Sequence, residues 1–219
     1  MFDASRTTNA DFPRIAADIV DRARPLPTAT LHEAGGKIGA LPSAIRSMIS
    51  GLGVVGPALT VHSPGADNLW LHRALEIARP GDVMIVHVSG AYDFGYWGEV
   101  MSTAAKARGL AGLVIDGCVR DGDLLEDVGV PVFARGLSMR GTGKDFGAVG
   151  WIGAPLLMGQ VVVNAGDLIV GDADGVVSLP RGTATEVIDA SIAREAAEQG
   201  QIKRLEAGET TMSIFGFHR

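Results

Sequence analysis

Residues 83–115, with the sequence VMIVHVSGAYDFGYWGEVMSTAAKARGLAGLVI, contain the unit that decides the fold. The apolar run over residues 83–88 predicts a strand that is buried on both of its faces. A loop rich in glycine and aromatic residues leads from this strand to an alanine-rich helix, which ends at Arg108, just before Gly109. Residues 113–115 predict a second strand. A strand, a helix and another strand in this order predict parallel pairing with a right-handed crossover.

The chain before this unit predicts further helices and strands. Residues 15–23 have apolar side chains at helical spacing, and the prolines that follow stop this helix. Residues Thr28–Ala34 predict a short helix, and residues 53–61 predict a strand rich in Val, Leu and Thr. Asp67 is the predicted N-cap of a helix that runs through Ile77.

The second half of the chain predicts several short strands separated by glycine, proline and asparagine. These strands are residues 130–134, 148–152, 161–163, 167–170 and 176–179. One long helix, residues 183–207, follows them and is free to reach a neighbouring subunit. No internal repeat and no long linker divides the sequence. We therefore expect one α/β domain over residues 1–219, with a mixed sheet and a long C-terminal helix.

The composition excludes several classes of protein. The 219 residues carry 19 basic and 25 acidic side chains, a net charge of −6, which argues against a nucleic-acid partner. The start of the chain lacks the basic residues and apolar run of a signal peptide, and no apolar stretch approaches the ~20 residues needed to span a bilayer. With a single cysteine, Cys118, no intrachain disulfide can form. These features predict a cytoplasmic protein with no membrane partner.

Three motif-like segments have simpler interpretations. Residues 51–56 match the dinucleotide pattern GxGxxG, but a strand follows them instead of a helix, so we interpret them as a glycine-rich turn. Residues 141–144, GTGK, lack the spacing of a phosphate loop, and Asp145 stands where Ser or Thr would hold magnesium. Lys144 is therefore predicted to be a solvated loop lysine. Cys118 is predicted to be a small buried residue and not a nucleophile.

The strongest candidate site joins two short segments on either side of a predicted strand. Glu99 begins the helix of the central unit, while Arg120 and Asp121 follow the next strand, so a parallel sheet would place them at the same edge. The free N–H groups of Val100 and Met101 suit a carboxylate, which Arg120 can also grip with two hydrogen bonds. Asp121 and Glu99 offer the hard oxygen ligands that magnesium or manganese prefers. A favourable helix start followed by an ordinary surface turn explains the same pattern equally well.

At these residues the chain closely resembles the class II 4-hydroxy-4-methyl-2-oxoglutarate/4-carboxy-4-hydroxy-2-oxoadipate aldolases, within the larger family of ribonuclease E regulator-like (RraA-like) proteins. The resembling segments cover nearly the whole chain; they are 30–34 (TLHEA), 56–61 (GPALTV), 65–69 (GADNL), 95–99 (GYWGE), 116–121 (DGCVRD) and 166–172 (GDLIVGD). The Arg-Asp pair with an acidic residue upstream at a helix start is the specific part. The resemblance implies a mixed β-sheet core of the swivelling β/β/α type.

The resemblance also implies roles for the candidate residues. Asp121 would bind a divalent metal, Mg²⁺ or Mn²⁺, directly, and Glu99 would hold it through water. Arg120, with the backbone amides of Val100 and Met101, would bind the pyruvyl carboxylate of a 2-keto acid.

Other implied roles extend the site beyond this segment. Asn68 is a weaker candidate for a substrate contact. Members of the family form trimers, often paired into hexamers, and a glutamate from the C-terminal helix of a neighbouring subunit completes the outer shell of the metal. Glu198 is our choice for that glutamate and Glu195 the alternative, so the site is expected at a subunit interface.

The implied reaction is a retro-aldol cleavage that releases pyruvate. The metal stabilises the enolate that is left when the C3–C4 bond breaks, and a metal-organised water removes the C4 hydroxyl proton. The same stabilisation predicts oxaloacetate decarboxylation as a companion activity. Three alternatives stay open: a non-enzymatic regulator that binds a ribonuclease, a dedicated oxaloacetate decarboxylase, and an aldolase that forms a Schiff base on a lysine.

Overall fold

The computed structural model describes residues 7–217. The helices of this part are α1 (Ala17–Ala23), α2 (Thr28–Ala34), α3 (Leu69–Ile77), α4 (Glu99–Ala107), α5 (Gly122–Val128), α6 (Ala184–Glu206) and α7 (Thr211–Ile214). The strands are β1 (Arg46–Ser47), β2 (Val54–His62), β3 (Val83–His87), β4 (Gly112–Asp116), β5 (Cys118–Val119), β6 (Val132–Ala134), β7 (Gly136–Leu137), β8 (Trp151–Ile152), β9 (Leu156–Met158), β10 (Val161–Val163), β11 (Leu168–Gly171) and β12 (Val176–Leu179).

The central sheet is mixed, as expected from the sequence. Its strands follow the order β1-β6-β4-β3-β2-β11-β12, in which β2, β3, β4 and β6 run parallel to one another. Strands β1, β11 and β12 pair antiparallel with their neighbours. One edge of β2 pairs with β11 at its start and with β8 at its end. Because β11 and β8 pair with different parts of the same edge of β2, the sheet curls.

The central unit of the sequence forms as predicted. Strands β3 and β4 pair in parallel on either side of α4, with Val83 opposite Gly112. Met84 and Val86 pack in one hydrophobic cluster, while Val83 and Ile85 pack in another. The alternation of side chains along β3 therefore buries both of its faces, which explains the uninterrupted apolar run.

Three hydrophobic clusters hold the layers together. The first packs α3, α4 and α5 on one face of the parallel strands and includes the buried indoles of Trp70 and Trp97. The second packs β9 and β10 on the opposite face, around Phe133. The third packs α1, α2 and the start of α6 against β11 and β12. Each fully buried large apolar side chain contributes roughly 1.5–3 kcal/mol to these layers.

The structure differs from the sequence-based elements in several places, and it adds the short elements β1, β5, β7, β9 and α7, which were not predicted. Helix α5 lies between Asp121 and the predicted strand at residues 130–134, in a stretch for which the sequence predicted no element; Asp121 before it and the left-handed Gly129 after it (φ 75°) are the signals that mark its ends. Helix α3 has Asn68 as its N-cap instead of Asp67. Asp67 still accepts a hydrogen bond from Leu69 N (2.8 Å to Oδ1). Its side chain therefore binds a free N–H group of the helix start from one position before the N-cap.

Helix α6 is long, yet it is packed only along its first half. Of its 23 residues, the buried ones are Ala184, Ile188 and Ser191. Beyond them the helix exposes apolar side chains, among them Ile202. No helix in residues 7–217 combines the length and the apolar character that crossing a membrane requires.

Candidate active site

The two segments of the predicted site meet at the edge where the parallel strands end. The backbone N–H of Arg120 donates to the carbonyl oxygen of Trp97 (2.8 Å), and Gly95 forms an isolated β-bridge with Cys118. These contacts bring the start of α4 beside the start of α5. The structure therefore brings Glu99, Arg120 and Asp121 together, as the parallel order of the strands predicted.

Asp121 has a constrained conformation at the centre of this edge. Its backbone is left-handed (φ 59°, ψ 40°), a conformation that aspartate adopts more readily than most residues other than glycine. Its Oδ2 accepts a hydrogen bond from Glu99 N (3.1 Å) and lies 3.7 Å from Arg120 Nε. These contacts hold the carboxylate between the start of α4 and the guanidinium group of Arg120.

The first turn of α4 presents unused hydrogen-bond donors. Within the described residues, the N–H groups of Val100 and Met101 have no acceptor, and the N-cap residue Gly98 has no side chain that could bind them. The exposed N–H groups and the helix dipole favour an anion at this position. A substrate carboxylate is therefore chemically suited to the place that the sequence predicted for it.

These groups line a cavity of about 230 Å³. Its lining residues are Asn68, His72, Tyr96, Trp97, Gly98, Val100, Met101, Arg120, Asp121, Gly141, Thr142 and Lys144. Five predicted residues are among them: Asn68, Val100, Met101, Arg120 and Asp121. Glu99 begins α4 beside the cavity and its side chain is exposed.

Asn68 is held rigidly at the cavity wall. Its Nδ2 donates to Tyr96 O (2.9 Å) and to Met101 Sδ (3.6 Å). Its buried Oδ1 has no hydrogen-bond partner within residues 7–217. The amide is therefore oriented by two contacts and retains an unused acceptor.

The sequence interpretation missed three polar residues of the cavity: His72, Thr142 and Lys144. Lys144 is exposed, as expected, but it also lines the cavity. Burial lowers the pKa of His72, the positive charge of Lys144 lowers it further, and the charge of Asp67 partly offsets both effects. These effects together favour the neutral form of the His72 imidazole. The loop that carries Thr142 and Lys144 is distant in sequence, so no local pattern links it to the site.

The carboxylates at this edge fit a hard divalent ion. Asp121 Oδ1 has no hydrogen-bond partner in the described part of the chain, and the Glu99 side chain makes no ion pair there. No group of three or more His, Cys, Asp or Glu side chains in residues 7–217 could hold a metal by itself. Magnesium often binds through one or two carboxylates, with water and substrate as its other ligands. Asp121 and Glu99 are suited to that mode of binding.

Glu198 and Glu195 lie on α6 and are not among the residues that line the cavity. Within its own chain, Glu198 pairs with Arg194 Nε (2.8 Å), and Arg194 also contacts Glu33. Glu195 accepts a hydrogen bond from the Thr30 hydroxyl. Their contribution to the site of a neighbouring subunit stays a prediction.

A histidine pair lies at the same edge of the sheet. His62 and His87 end neighbouring strands, and their Nδ1 atoms are 3.1 Å apart. The His62 ring also stacks on Trp151, with ring centroids 3.7 Å apart. Burial, together with the charge of His87, lowers the pKa of His62 to about 4. Burial also lowers the pKa of His87, an effect that neighbouring Asp116 opposes.

Comparison with known proteins identifies the family. Residues 16–178 match the model of the RraA-like family, described as Aldolase/RraA, so this chain belongs to the RraA-like family. It is 33% identical over 184 residues to a protein of Halalkalibacterium halodurans named "Putative 4-hydroxy-4-methyl-2-oxoglutarate aldolase", which covers 84% of this chain and 87% of that protein. The family expected from the sequence is thereby confirmed.

Solved structures with the same fold extend the comparison. An uncharacterized protein from Pseudomonas syringae pv. tomato superposes with a TM-score of 0.81 at 30% identity, over 95% of this chain and 97% of that one. RraAS2 from Streptomyces coelicolor, described as an unusual member of the RNase ES inhibitor RraA protein family, superposes with a TM-score of 0.75 at 28% identity, over 87% of this chain and 100% of that one. The mixed α/β fold is thus shared with relatives of different description.

Proposed function

We propose that this protein is a divalent-metal-dependent lyase that cleaves 4-hydroxy-4-methyl-2-oxoglutarate or 4-carboxy-4-hydroxy-2-oxoadipate by a retro-aldol reaction and releases pyruvate. The observation that carries the proposal is the convergence of Arg120, Asp121 and the free N–H groups of α4 on one cavity. The name of the relative from Halalkalibacterium halodurans supports the same class of reaction.

The pyruvyl end of the substrate would bind at the start of α4. The guanidinium group of Arg120 can donate two parallel hydrogen bonds to a carboxylate. The N–H groups of Val100 and Met101 donate to the same anion, which the helix dipole stabilises further. The N–H groups belong to the helix and are thus oriented before the substrate arrives, which lowers the entropic cost of orientation.

Asp121 would hold Mg²⁺ or Mn²⁺ directly, and Glu99 would hold it through water. When bound, the ion supplies positive charge that polarises the 2-keto oxygen of the substrate. Arg120 adds positive charge where negative charge develops during cleavage. A water molecule held by the carboxylates of Asp121 and Glu99 is the proposed acceptor of the C4 hydroxyl proton. Oxaloacetate would lose its C4 carboxylate by the same electron flow, so we propose decarboxylation as a side activity.

We further propose that the active form is a cytoplasmic homotrimer or homohexamer, with Glu198 or Glu195 of a neighbouring subunit beside the metal. The second half of α6 leaves the apolar side chains of Ile202 and Leu205 partly exposed. Exposed apolar side chains also lie at the site: Val100 lines the cavity, and Leu137 and Met139 line a depression beside Arg120 and Asp121. A neighbouring subunit that covers both surfaces would remove them from water.

The decisive experiment measures pyruvate release from 4-hydroxy-4-methyl-2-oxoglutarate with Mg²⁺ and again with excess EDTA. We expect turnover that EDTA abolishes and Mg²⁺ restores. Absence of turnover with either Mg²⁺ or Mn²⁺, on this substrate and on oxaloacetate, would overturn the proposal.

A second candidate function is the regulation of a ribonuclease by direct binding. The similarity to RraAS2, whose family is described as inhibitors of RNase ES, supports this candidate. Co-purification with a ribonuclease, combined with no lyase turnover, would favour it over the lyase.

A further inference from the structure

The loop that carries Lys144 is anchored to the start of α3 by a short ladder of hydrogen bonds. Gly143 N donates to Ala66 O (2.7 Å), and Asn68 N donates to Gly143 O (3.3 Å). The two segments are more than 70 residues apart in the sequence. The ladder fixes the loop as a second wall of the cavity, separate from the wall that contains Arg120 and Asp121.

The carboxylate of Asp67 strengthens this anchor. The residue is only 5% exposed, and each of its oxygens accepts one backbone hydrogen bond. Oδ1 accepts from Leu69 N (2.8 Å) in α3, and Oδ2 accepts from Asp145 N (2.6 Å) in the loop. Hydrogen bonds to a buried carboxylate are stronger than those between neutral groups. Asp67 therefore fixes the position of Lys144 relative to α3.

Lys144 provides an unneutralised positive charge at the cavity. Within the described residues it forms no ion pair and no side-chain hydrogen bond. The other charged side chains that line the cavity are Arg120 and Asp121, which carry opposite charges and lie within ion-pair distance of each other. The charge of Arg120 is thus opposed by Asp121, whereas that of Lys144 is not opposed by another side chain that lines the cavity. Within the described residues Lys144 therefore has no ion-pair partner, and the carboxylate of Asp67 accepts its hydrogen bonds from backbone N–H groups instead.

We propose that Lys144 is a specificity-determining residue that binds the second carboxylate of the substrate, and that Asp67 is the positioning residue that holds Lys144 in place. This inference rests on the proposed function, in which the pyruvyl carboxylate binds at Arg120 and the start of α4. The remainder of the substrate then extends toward the other wall of the same cavity. Thr142, on the same loop, adds a hydroxyl group to that wall.

The test compares the binding of two unreactive ligands that differ only at the far end. 2-Oxoglutarate has a second carboxylate, whereas 2-oxopentanoate has a methyl group at the same carbon, and neither has the hydroxyl that cleavage requires. Calorimetric titrations with Mg²⁺ would measure both affinities. We expect the wild-type protein to bind 2-oxoglutarate about tenfold more tightly, the size of effect usual for one hydrogen bond to a charged group.

Three variants assign the difference to the proposed residues. Lys144→Met should remove the tenfold preference and leave the affinity for 2-oxopentanoate unchanged. Lys37→Met, the same change at an exposed lysine outside the cavity, should retain it. Asp67→Asn keeps one oxygen acceptor but loses the other. It should reduce the preference for 2-oxoglutarate and leave the affinity for 2-oxopentanoate unchanged. A purely structural defect would instead weaken both ligands.

The outcomes separate this inference from the proposed function. Equal affinities of the wild-type protein for the two ligands, or a preference that survives Lys144→Met, would overturn the inference alone. If the wild-type protein binds neither ligand, the proposed pyruvyl site is contradicted as well, and with it the proposed function.

Discussion

Gly98 and Asp121 approach so closely that a Cβ atom on Gly98 would lie 2.2 Å from Asp121 Oδ2. The backbone of Gly98 is extended (φ −159°), so any residue could adopt its conformation. Glycine is therefore required here because the carboxylate of Asp121 occupies the space that a Cβ atom would need. The absent side chain is what allows the carboxylate of Asp121 to reach Glu99 N.

Substitution of Gly98 should damage activity without unfolding the protein. In Gly98→Ala the new methyl group displaces the carboxylate of Asp121, and displacement of a reacting group by about 1 Å commonly costs on the order of a hundredfold in rate. Pyruvate release measures the loss, and the thermal midpoint measures folding. Gly182→Ala, at a glycine with open space around its Cβ position, is the control and should be neutral. Full activity of Gly98→Ala would show that the position of Asp121 does not matter.

Arg120 should be sensitive even to a change that keeps its charge. Lysine presents a point charge and cannot offer the planar pair of donors that a carboxylate or keto oxygen accepts. We expect Arg120→Lys to lower kcat/KM by on the order of a hundredfold, the usual cost of removing one stabilising donor. Arg181→Lys, at an exposed arginine outside the cavity, should retain wild-type kinetics. An unchanged kcat/KM in Arg120→Lys would exclude Arg120 from the reaction.

Asp121 should control the response to metal. We expect Asp121→Asn to raise the Mg²⁺ concentration needed for half-maximal turnover by at least about tenfold, because an amide binds a hard cation more weakly than a carboxylate. The titration of pyruvate release with Mg²⁺ gives this value directly. If Asp121→Asn keeps both the wild-type rate and the wild-type Mg²⁺ dependence, the ion binds elsewhere.

The histidine pair predicts a loss of stability in mild acid. The folded-state pKa of His62 is about 4, below its usual value of 6.5, so the unfolded chain takes up a proton more readily than the folded chain. The contribution of neutral His62 to the free energy of unfolding is fully present above about pH 6.5. It is lost as the pH falls toward 4. The lowered pKa values of His72 and His87 act in the same direction.

Urea denaturation at pH 7 and at pH 5 would measure this loss. His62→Phe keeps an aromatic ring against Trp151 but cannot take up a proton, so its stability should fall less between the two pH values. His32→Phe is the matched control, at a histidine of α2 that contacts Ile38 O. Its stability should fall between the two pH values as much as that of the wild type. An identical fall in the wild type and in His62→Phe would assign the acid sensitivity to other groups.

The exposed half of α6 predicts a subunit contact. Ile202→Glu places a charge on its apolar face and should lower the molar mass measured by light scattering. Ala193 is also exposed and lies nine residues earlier, about 180° around the helix. Ala193→Glu is therefore a control on the opposite face, and its mass should match that of the wild type. A monomeric wild-type protein would contradict both the assembly and the proposed role of Glu198.

The parts of this protein that were predictable from sequence are those that depend on nearby residues. The burial of residues 83–88 followed from their uninterrupted apolar run, and the start of α4 beside Asp121 followed from the parallel order of the strands. Those two inferences rest on spacing along 39 consecutive residues, 83–121. The family resemblance then supplied roles that spacing alone left open.

The parts that were not predictable depend on long-range contacts or on backbone strain. The hydrogen bond from Asp145 N to Asp67 joins residues 78 positions apart, so neither sequence neighbourhood reveals that Lys144 reaches the cavity. The left-handed backbone of Asp121 is likewise fixed by its surroundings. Helix α5 was missed because it is short and lies among strands, although the residues at its two ends signalled it.

The two walls of the cavity come from separate parts of the chain. Residues 96–101 and 120–121 form the wall with the proposed reactive groups, whereas residues 68–72 and 141–144 form the other wall. Asn68 joins the two walls through its hydrogen bonds to Tyr96 O and Met101 Sδ, whereas the loop of residues 141–144 contributes no residue to the wall with the reactive groups. After a gene duplication, a copy could acquire a new substrate through the loop of Lys144 alone while it inherits the bond-breaking groups unchanged.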